Sequence, residues 1–212
     1  MVTIAAIPTI GMSPHLRPLV EMLVNDPHID EVLLIKNEQV PLDVPHEAKI
    51  VEVFIPEHNI SVWWNWAIRY AAVDNARLAL LNDDIWFDSP WAVSDAAHLF
   101  DIHPNLVVCG FNYGDWAAGV RYVTGSYRDH GIGGSAFMVD SARCPLVDEQ
   151  FVWWGGDDDL FRKVSEQGSD LAVALELTYN HEPETTAARS AWTYTAREAD
   201  RQRFVEKYGS AW

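Results

Sequence analysis

The chain has 212 residues, 49% of them apolar and 22% charged, which is the profile of one folded domain with a sizeable core and not of a disordered polymer. Fifteen basic residues against 31 acidic ones give a net charge of -16, which repels phosphate backbones and argues against general nucleic-acid binding. No apolar run approaches the roughly 20 residues that span a bilayer, and the start, Met1 to Ile10, lacks the basic flank of a signal peptide, so no membrane span and a cytoplasmic location are expected.

Val2 to Ile10 is a β-branched apolar run with the length of a buried strand. Ser13 and Pro14 have the form of an N-cap and first helical position for a helix ending near Asn25, although Pro18 favours a later start. Glu31 to Asn37 and Lys49 to Pro56 follow as strands, Ser61 to Asn75 as a helix, and Arg77 to Leu81 as a fourth strand ending in Asn82-Asp83-Asp84. This alternation predicts an α/β fold with a mostly parallel central sheet and helices on both faces. In such sheets ligands bind beyond the carboxyl ends of the strands, where Asn37, Asn59 and Asn82 to Asp84 would gather.

Farther on come a strand at Asn105 to Tyr113, a glycine-rich stretch at Gly131 to Asp140, and a helix opened by Asp157 to Asp159 and closed by Gly168. Leu171 to Leu177 reads as a late strand, followed by Tyr179-Asn180-His181. Thr195 and Glu198 have the spacing of a capping box for a last helix stopped by Gly209. Residues 181–212 are charge-neutral, with Arg189, Arg197, Arg201, Arg203 and Lys207 against Glu182, Glu184, Glu198, Asp200 and Glu206, as expected of a solvated helix face. Cys109 and Cys144 lack paired metal-type spacing and are expected to be reduced thiols without chemistry.

Three places carry chemistry. Asn82-Asp83-Asp84 holds adjacent carboxylates at a strand end beside the apolar Ile85-Trp86-Phe87, a concentration of charge that a hard divalent cation bridging to a diphosphate would offset; a solvated turn is the alternative. Trp153-Trp154-Gly155-Gly156-Asp157-Asp158-Asp159 sets three carboxylates at a helix start. Capping and the helix dipole explain one or two of them, at ~0.3–1 kcal/mol each. Another, beside aromatic rings that stack on sugars and glycines that permit close approach, could accept a proton from a hydroxyl. His181 stands at an element end as a weak ligand candidate. Of the ten tryptophans, Trp63, Trp64 and Trp66 cannot all face one side of a helix, so some are exposed or line a groove, while core packing is expected for more than half.

These pieces occur in an order that resembles the inverting glycosyltransferases of the GT-A fold, the family 2 type in particular. Ile7-Pro8-Thr9 resembles that family's opening strand, Asn59 with Trp64-Asn65 its Asn-x-Gly…Trp-Asn segment without the glycine, and Leu81-Asn82-Asp83-Asp84 its Asp-x-Asp region. Gly134-Ser135-Ala136-Phe137-Met138 is similar to its acceptor-side Gly-x-x-Phe-Met strand. Trp154 to Phe161 resembles the Trp-Gly-Gly-Glu-Asp-Asp-Asp helix start of the β-1,4-galactosyltransferases. The resemblance covers residues 2–181 and implies a GT-A (Rossmann-like) glycosyltransferase domain over 1–181, with 182–212 as a loop and helix packed on or covering the active site. A short enzyme of this kind would suit a virus or a bacterial gene cluster.

The resemblance further implies a nucleotide-sugar donor, with uridine as its nucleoside, contacted by Pro8, Thr9, Asn37, Asn59, Asn65, Asn82 and Asp83. It implies Mn2+ or Mg2+ held by Asp84 and His181, and an acceptor at Trp153, Trp154, Gly155 and Gly156. Alignment from Leu160 makes Asp157 the base, whereas alignment from the glycines makes it Asp158. Glycan, protein, small molecule and modified nucleobase all remain open as acceptors. Trp192, in the loop after His181, is expected to close over the donor. A nucleotidyltransferase would need an early basic phosphate loop, and Ile10 to Pro14 has no lysine. A non-catalytic carbohydrate-binding protein would explain the tryptophans but neither Asp157 to Asp159 nor His181.

Overall fold

The computed structural model describes residues 1–38, 41–113, 120–122, 132–182 and 191–210. Its strands are β1 (Thr3–Thr9), β2 (Glu31–Lys36), β3 (Ile50–Phe54), β4 (Arg77–Leu81), β5 (Ile85–Phe87), β6 (Leu106–Tyr113), β7 (Val120–Tyr122), β8 (Ala136–Asp140) and β9 (Asp170–His181). The helices are α1 (Leu16–Asn25), α2 (Ile60–Ala72), α3 (Ala92–Ile102), α4 (Gly156–Glu166) and α5 (Ala191–Tyr208). None of the described helices is long and apolar enough to cross a membrane.

All nine strands form one sheet in the order β3-β2-β1-β4-β8-β6-β9-β5, with β7 also on β9. The first four are parallel, β6 and β9 continue in the same direction, and β8, β5 and β7 run against them. β1 is buried at every residue, as a central strand must be, and its alternate side chains enter two separate apolar clusters. Ala5 and Ile7 pack with Leu16, Leu19 and Leu23 of α1 and with Val93, Ala96 and Phe100 of α3. Ile4 and Ala6 pack with Trp63, Trp64 and Ile68 of α2 and with Leu160, Phe161 and Val164 of α4. The period-two alternation of the strand thus divides its side chains between different helix pairs.

Several expected boundaries move for local reasons. α1 starts at Leu16, with Ser13 Oγ accepting the His15 N–H at 3.1 Å ahead of it, so Pro18 falls in the first turn, where a missing N–H costs no helical bond. β9 continues through Tyr179-Asn180-His181 because β5 supplies an antiparallel partner for these residues. α3 was not anticipated, although Ala92, Val93, Ala96, Ala97 and Phe100 recur at helical spacing and are buried. α5 begins at Ala191, so Thr195 and Glu198 lie within the helix and form no capping box, and Trp192 lies in its first turn and not in a loop. The side chain of Trp192 and residues 183–190, including Arg189, lie outside the described residues, as do Gly131 and the surroundings of β7. Gly209, at φ 75°, ends α5 as the glycine predicted.

Candidate active site

The pairing of β1 with β4 stops at Ala6 and Leu80, whereas β1 stays paired with β2 through Thr9. From β1 the chain's next two strands go to one side and β4 to the other, so the carboxyl end of β1 is the topological switch point of the sheet. The crevice opening there is a cavity of about 390 Å³, lined by Pro8, Thr9, Ile10, Ile60, Trp63, Trp64, Asn82, Asp83, Asp84, Gly134, Ser135, Trp153, Trp154, Gly155, Asp157 and His181. None of these is a lysine or arginine.

The strand-end wall carries the acid. Thr9 Oγ1 accepts the Gly11 N–H at 2.8 Å, which Gly11 permits by its φ of 74°, and donates to Asp83 Oδ2 at 2.5 Å. Burial pushes the Asp83 carboxyl up to about 6, with the Thr9 hydroxyl pulling it down and neighbouring Asp84 pushing it further up. The Asn82 N–H donates to Ser135 O at 2.8 Å, and the Glu182 N–H to Asp84 O at 3.0 Å, so both flanks of the acidic turn are tied to neighbouring strands. Because β5 pairs antiparallel with β9 with Ile85 opposite His181, the imidazole reaches Asp84, and its Nε2 lies 3.1 Å from Asp84 Oδ1. No group of three or more His, Cys, Asp or Glu residues arranged for a metal occurs among the described residues. A site here would therefore rest on two protein ligands and draw the rest from substrate and water.

The other wall is the segment before α4. Gly155 has φ 73°, a left-handed turn that brings Asp157 into the cavity wall. Desolvation pushes the Asp157 carboxyl up, opposed by the backbone N–H groups of Asp158, Asp157 and Gly134. Gly134 lies so close that a Cβ there would sit 2.4 Å from Asp157 Oδ2. Between the two walls Tyr179 OH pairs with Ser135 Oγ at 2.7 Å. Burial raises the Tyr179 phenol, with Asp157 and Asp84 both adding to the rise.

The three consecutive aspartates have three surroundings. Asp157 lines the cavity, Asp158 does not, and Asp159 is fully buried beneath the segment. Asp159 accepts the Asp148 N–H, and it pairs with Lys163 at 2.7 Å, with Lys207 at 2.8 Å and with the Tyr208 hydroxyl. Burial alone would raise its carboxyl, but Lys163, Lys207 and Tyr208 together hold it below the usual range.

Of the expected site residues, Pro8, Thr9, Asn82, Asp83, Asp84, Trp153, Trp154, Gly155, Asp157 and His181 share the one cavity. Asn59, Asn65, Asn37, Asp158 and Gly156 do not line it. Asn59 caps α2, accepting from the Ser61 and Val62 N–H groups and donating to Glu149 O. Asn65 is buried, bonded through both ends of its amide to the backbone of Val147. Asn37 is buried against His58 at 2.8 Å. Gly156 is packed so tightly that a Cβ would meet Ser61 Oγ at 2.8 Å. Trp63 and Trp64 are buried and line the cavity, whereas Trp66 stacks on Tyr70 at 5.1 Å. The thiols of Cys109 and Cys144 are buried, Cys109 pushed up to about 12 by desolvation.

Sequence reading gave no role to Ser135, Tyr179 or Asp200. The last is the support of the whole wall. Its carboxylate is fully buried and accepts the N–H groups of Val152 at 3.1 Å, Trp153 at 2.9 Å and Trp154 at 3.0 Å. Hydrogen bonds to a charged acceptor contribute roughly 1.5–3 kcal/mol each. Trp154 Nε1 donates to Thr193 O at 3.3 Å, and Arg197 lies 5.2 Å over its ring. Thr193, Arg197, Asp200, Phe204, Lys207 and Tyr208 recur at three- and four-residue spacing on one face of α5, and that face is mostly polar. Apolar periodicity could not have shown it.

No protein-family model matches the chain, and no curated protein matches it in sequence. Solved structures do match in fold. Residues 1–349 of S. aureus TarS in complex with UDP-GlcNAc align at a TM-score of 0.60 and 12% identity, over 97% of this chain and 67% of that one. Mannosyl-3-phosphoglycerate synthase from Rubrobacter xylanophilus aligns at 0.58 and 14%, over 97% and 75%. CMP:2-keto-3-deoxy-manno-octonic acid synthetase complexed with CTP aligns at 0.51 and 12%, over 94% and 99%. The class the fold defines is therefore a GT-A-like α/β fold.

Proposed function

We propose that the chain is a metal-dependent inverting glycosyltransferase that moves a sugar from a nucleotide-sugar, with UDP as the expected nucleotide, onto an acceptor hydroxyl. The observation carrying this reading is that Asp83, Asp84, His181 and Asp157 line one cavity at the switch point of the sheet, with no lysine or arginine among its described lining residues. A diphosphate entering such a site meets like charge, so the site needs a cation to bind it. The donor set fits one: a carboxylate oxygen and an imidazole nitrogen in contact suit Mn2+ or Mg2+, with the remaining positions left to diphosphate and water. Asp84 and His181 would hold the ion, and the chemistry it supplies is neutralisation of charge on the leaving diphosphate.

The chain's own residues do the rest. Asp83, kept in place by Thr9, faces the nucleotide from the strand-end wall. Asp157 takes the proton of the acceptor hydroxyl as that oxygen bonds to the anomeric carbon and the bond from that carbon to the phosphate oxygen breaks. A single displacement from the far side inverts the configuration. Its raised proton affinity suits Asp157 to the task, since a general base works best with a pKa near the operating pH. Trp63, Trp64, Trp153 and Trp154 give the sugars apolar faces to stack on. The likeness to structures complexed with UDP-GlcNAc and with CTP supports nucleotide binding.

The second reading is a nucleotidyltransferase, supported by the alignment with the CTP-bound synthetase over 94% of this chain and 99% of that one. One assay separates them. Nucleotide-sugars incubated with the protein and Mn2+ should release nucleoside diphosphate, and excess chelator should stop the release. Pyrophosphate released from a nucleoside triphosphate and a sugar acid would instead establish the second reading.

A further inference from the structure

We infer that Asp200 is a positioning residue of this active site: its buried carboxylate, reaching over from the tail helix, fixes the segment that presents Trp153, Trp154 and Asp157 to the acceptor. The inference rests on the transfer reading for its consequence and on geometry for its cause. Three consecutive backbone N–H groups, those of Val152, Trp153 and Trp154, converge on the two oxygens of one side chain that is itself fully buried. A chain with three successive amides turned to one point has little freedom left in the dihedrals between them, so the backbone that leads into the left-handed turn at Gly155, and on to Asp157 in the cavity wall, starts from a fixed position.

Arg203 Nη1 donates at 2.8 Å to Asp200 Oδ1, the oxygen that also accepts from Val152, and so helps to orient the carboxylate. The segment is also tied to α2, through the Ile60 N–H to Val152 O at 2.9 Å. Among the described residues, Asp83 is held by Thr9 of β1, Asn82 by Ser135 just ahead of β8, and Asp84 and His181 by the pairing of β5 with β9. Loss of Asp200 should therefore loosen one wall and spare the other. That separates a positioning role from a general contribution to folding.

The test compares Asp200→Asn with Tyr208→Phe, which removes a bond of the same helix to buried Asp159 without touching the segment. An asparagine offers one acceptor oxygen and turns an NH2 toward the amides, so it cannot satisfy all three. With the donor that the wild-type protein turns over, Asp200→Asn should lower kcat by 10-fold or more, with donor KM within 2-fold, while Tyr208→Phe keeps kcat within 2-fold. Hydrogen exchange read by NMR should show the amides of 152–154 as slow as the interior of α5 in the wild type and selectively faster in Asp200→Asn. Unchanged kcat in Asp200→Asn, or a parallel fall in both variants, would overturn the inference. Fast exchange at 152–154 in the wild type would overturn it too, even if Asp200→Asn failed to fold. Should no nucleotide-sugar be turned over at all, the transfer reading fails by itself, and exchange still decides whether Asp200 holds the segment.

Discussion

The two walls of the cavity are held by different forces. Pro8, Thr9 and Asn82 to Asp84 emerge from the central strands of the sheet, so the strand ladder and two apolar clusters fix their positions before any polar side chain contributes. Trp153 to Gly155 lie in the connection that leads into α4 and Asp157, with no ladder of its own, hung on α5 by Asp200, Thr193 and Arg197. A wall built on the sheet is set by hydrophobic burial and tolerates change at its rim. A wall hung on buried charge is specific in geometry and fails when one partner is removed.

The largest effect should come from Asp157→Asn, which keeps the side chain's size but removes proton acceptance. Turnover should fall by about 10²–10⁴-fold with folding and donor affinity nearly unchanged. Asp158→Asn should stay near wild type. Steady-state kinetics decide between them, and retained transfer in Asp157→Asn with loss in Asp158→Asn would move the base by one position.

Next is Gly134→Ala. The added methyl would lie 2.4 Å from Asp157 Oδ2, so the carboxylate must turn away while the strand-end wall stays in place. Turnover should drop by roughly 10-fold with little change in nucleotide affinity. A fall in affinity of the same size would mean that Gly134 belongs to the donor wall.

Stability should register the tail more weakly than activity does. Tyr208→Phe leaves buried Asp159 without one of its donors and should cost about 1–3 kcal/mol, seen as a lower Tm. The smallest effect is on acid stability. The Asp159 carboxyl is lowered on folding, so its contribution is complete above its unfolded value near pH 4 and is lost as pH falls through the folded value. Wild-type Tm should fall in that range, and Tyr208→Phe should show a flatter acid limb. Equal slopes would show that Asp159 is not the group titrating.

The legibility of the molecule divides along the same line. β1, β2, β4 and the course of α1 and α2 were readable because runs such as Thr3 to Thr9 are mostly apolar and rich in β-branched residues, with polar turns after them. Asn82 to Asp84 could be placed at a strand end for that reason alone. β5, three residues long, carries too little pattern to be seen, and without it the extension of β9 to His181 had no partner. Asn59 and Asn65 sit at the right places for a binding segment, yet their amides are spent on capping α2 and on the Val147 backbone, contacts that depend on tertiary neighbours. Asp200 looked like one charge among ten on a solvated tail, since nothing local distinguishes a carboxylate that will be buried against three amides.

The central claim is that nucleotide enters this cavity through a cation held by Asp84 and His181, and isothermal titration with UDP tests it most directly. Wild-type protein should bind UDP when Mn2+ is present, should lose that binding in excess chelator, and should lose it with Mn2+ present in Asp84→Asn. UDP bound equally well with chelator, or equally well by Asp84→Asn, would contradict the account.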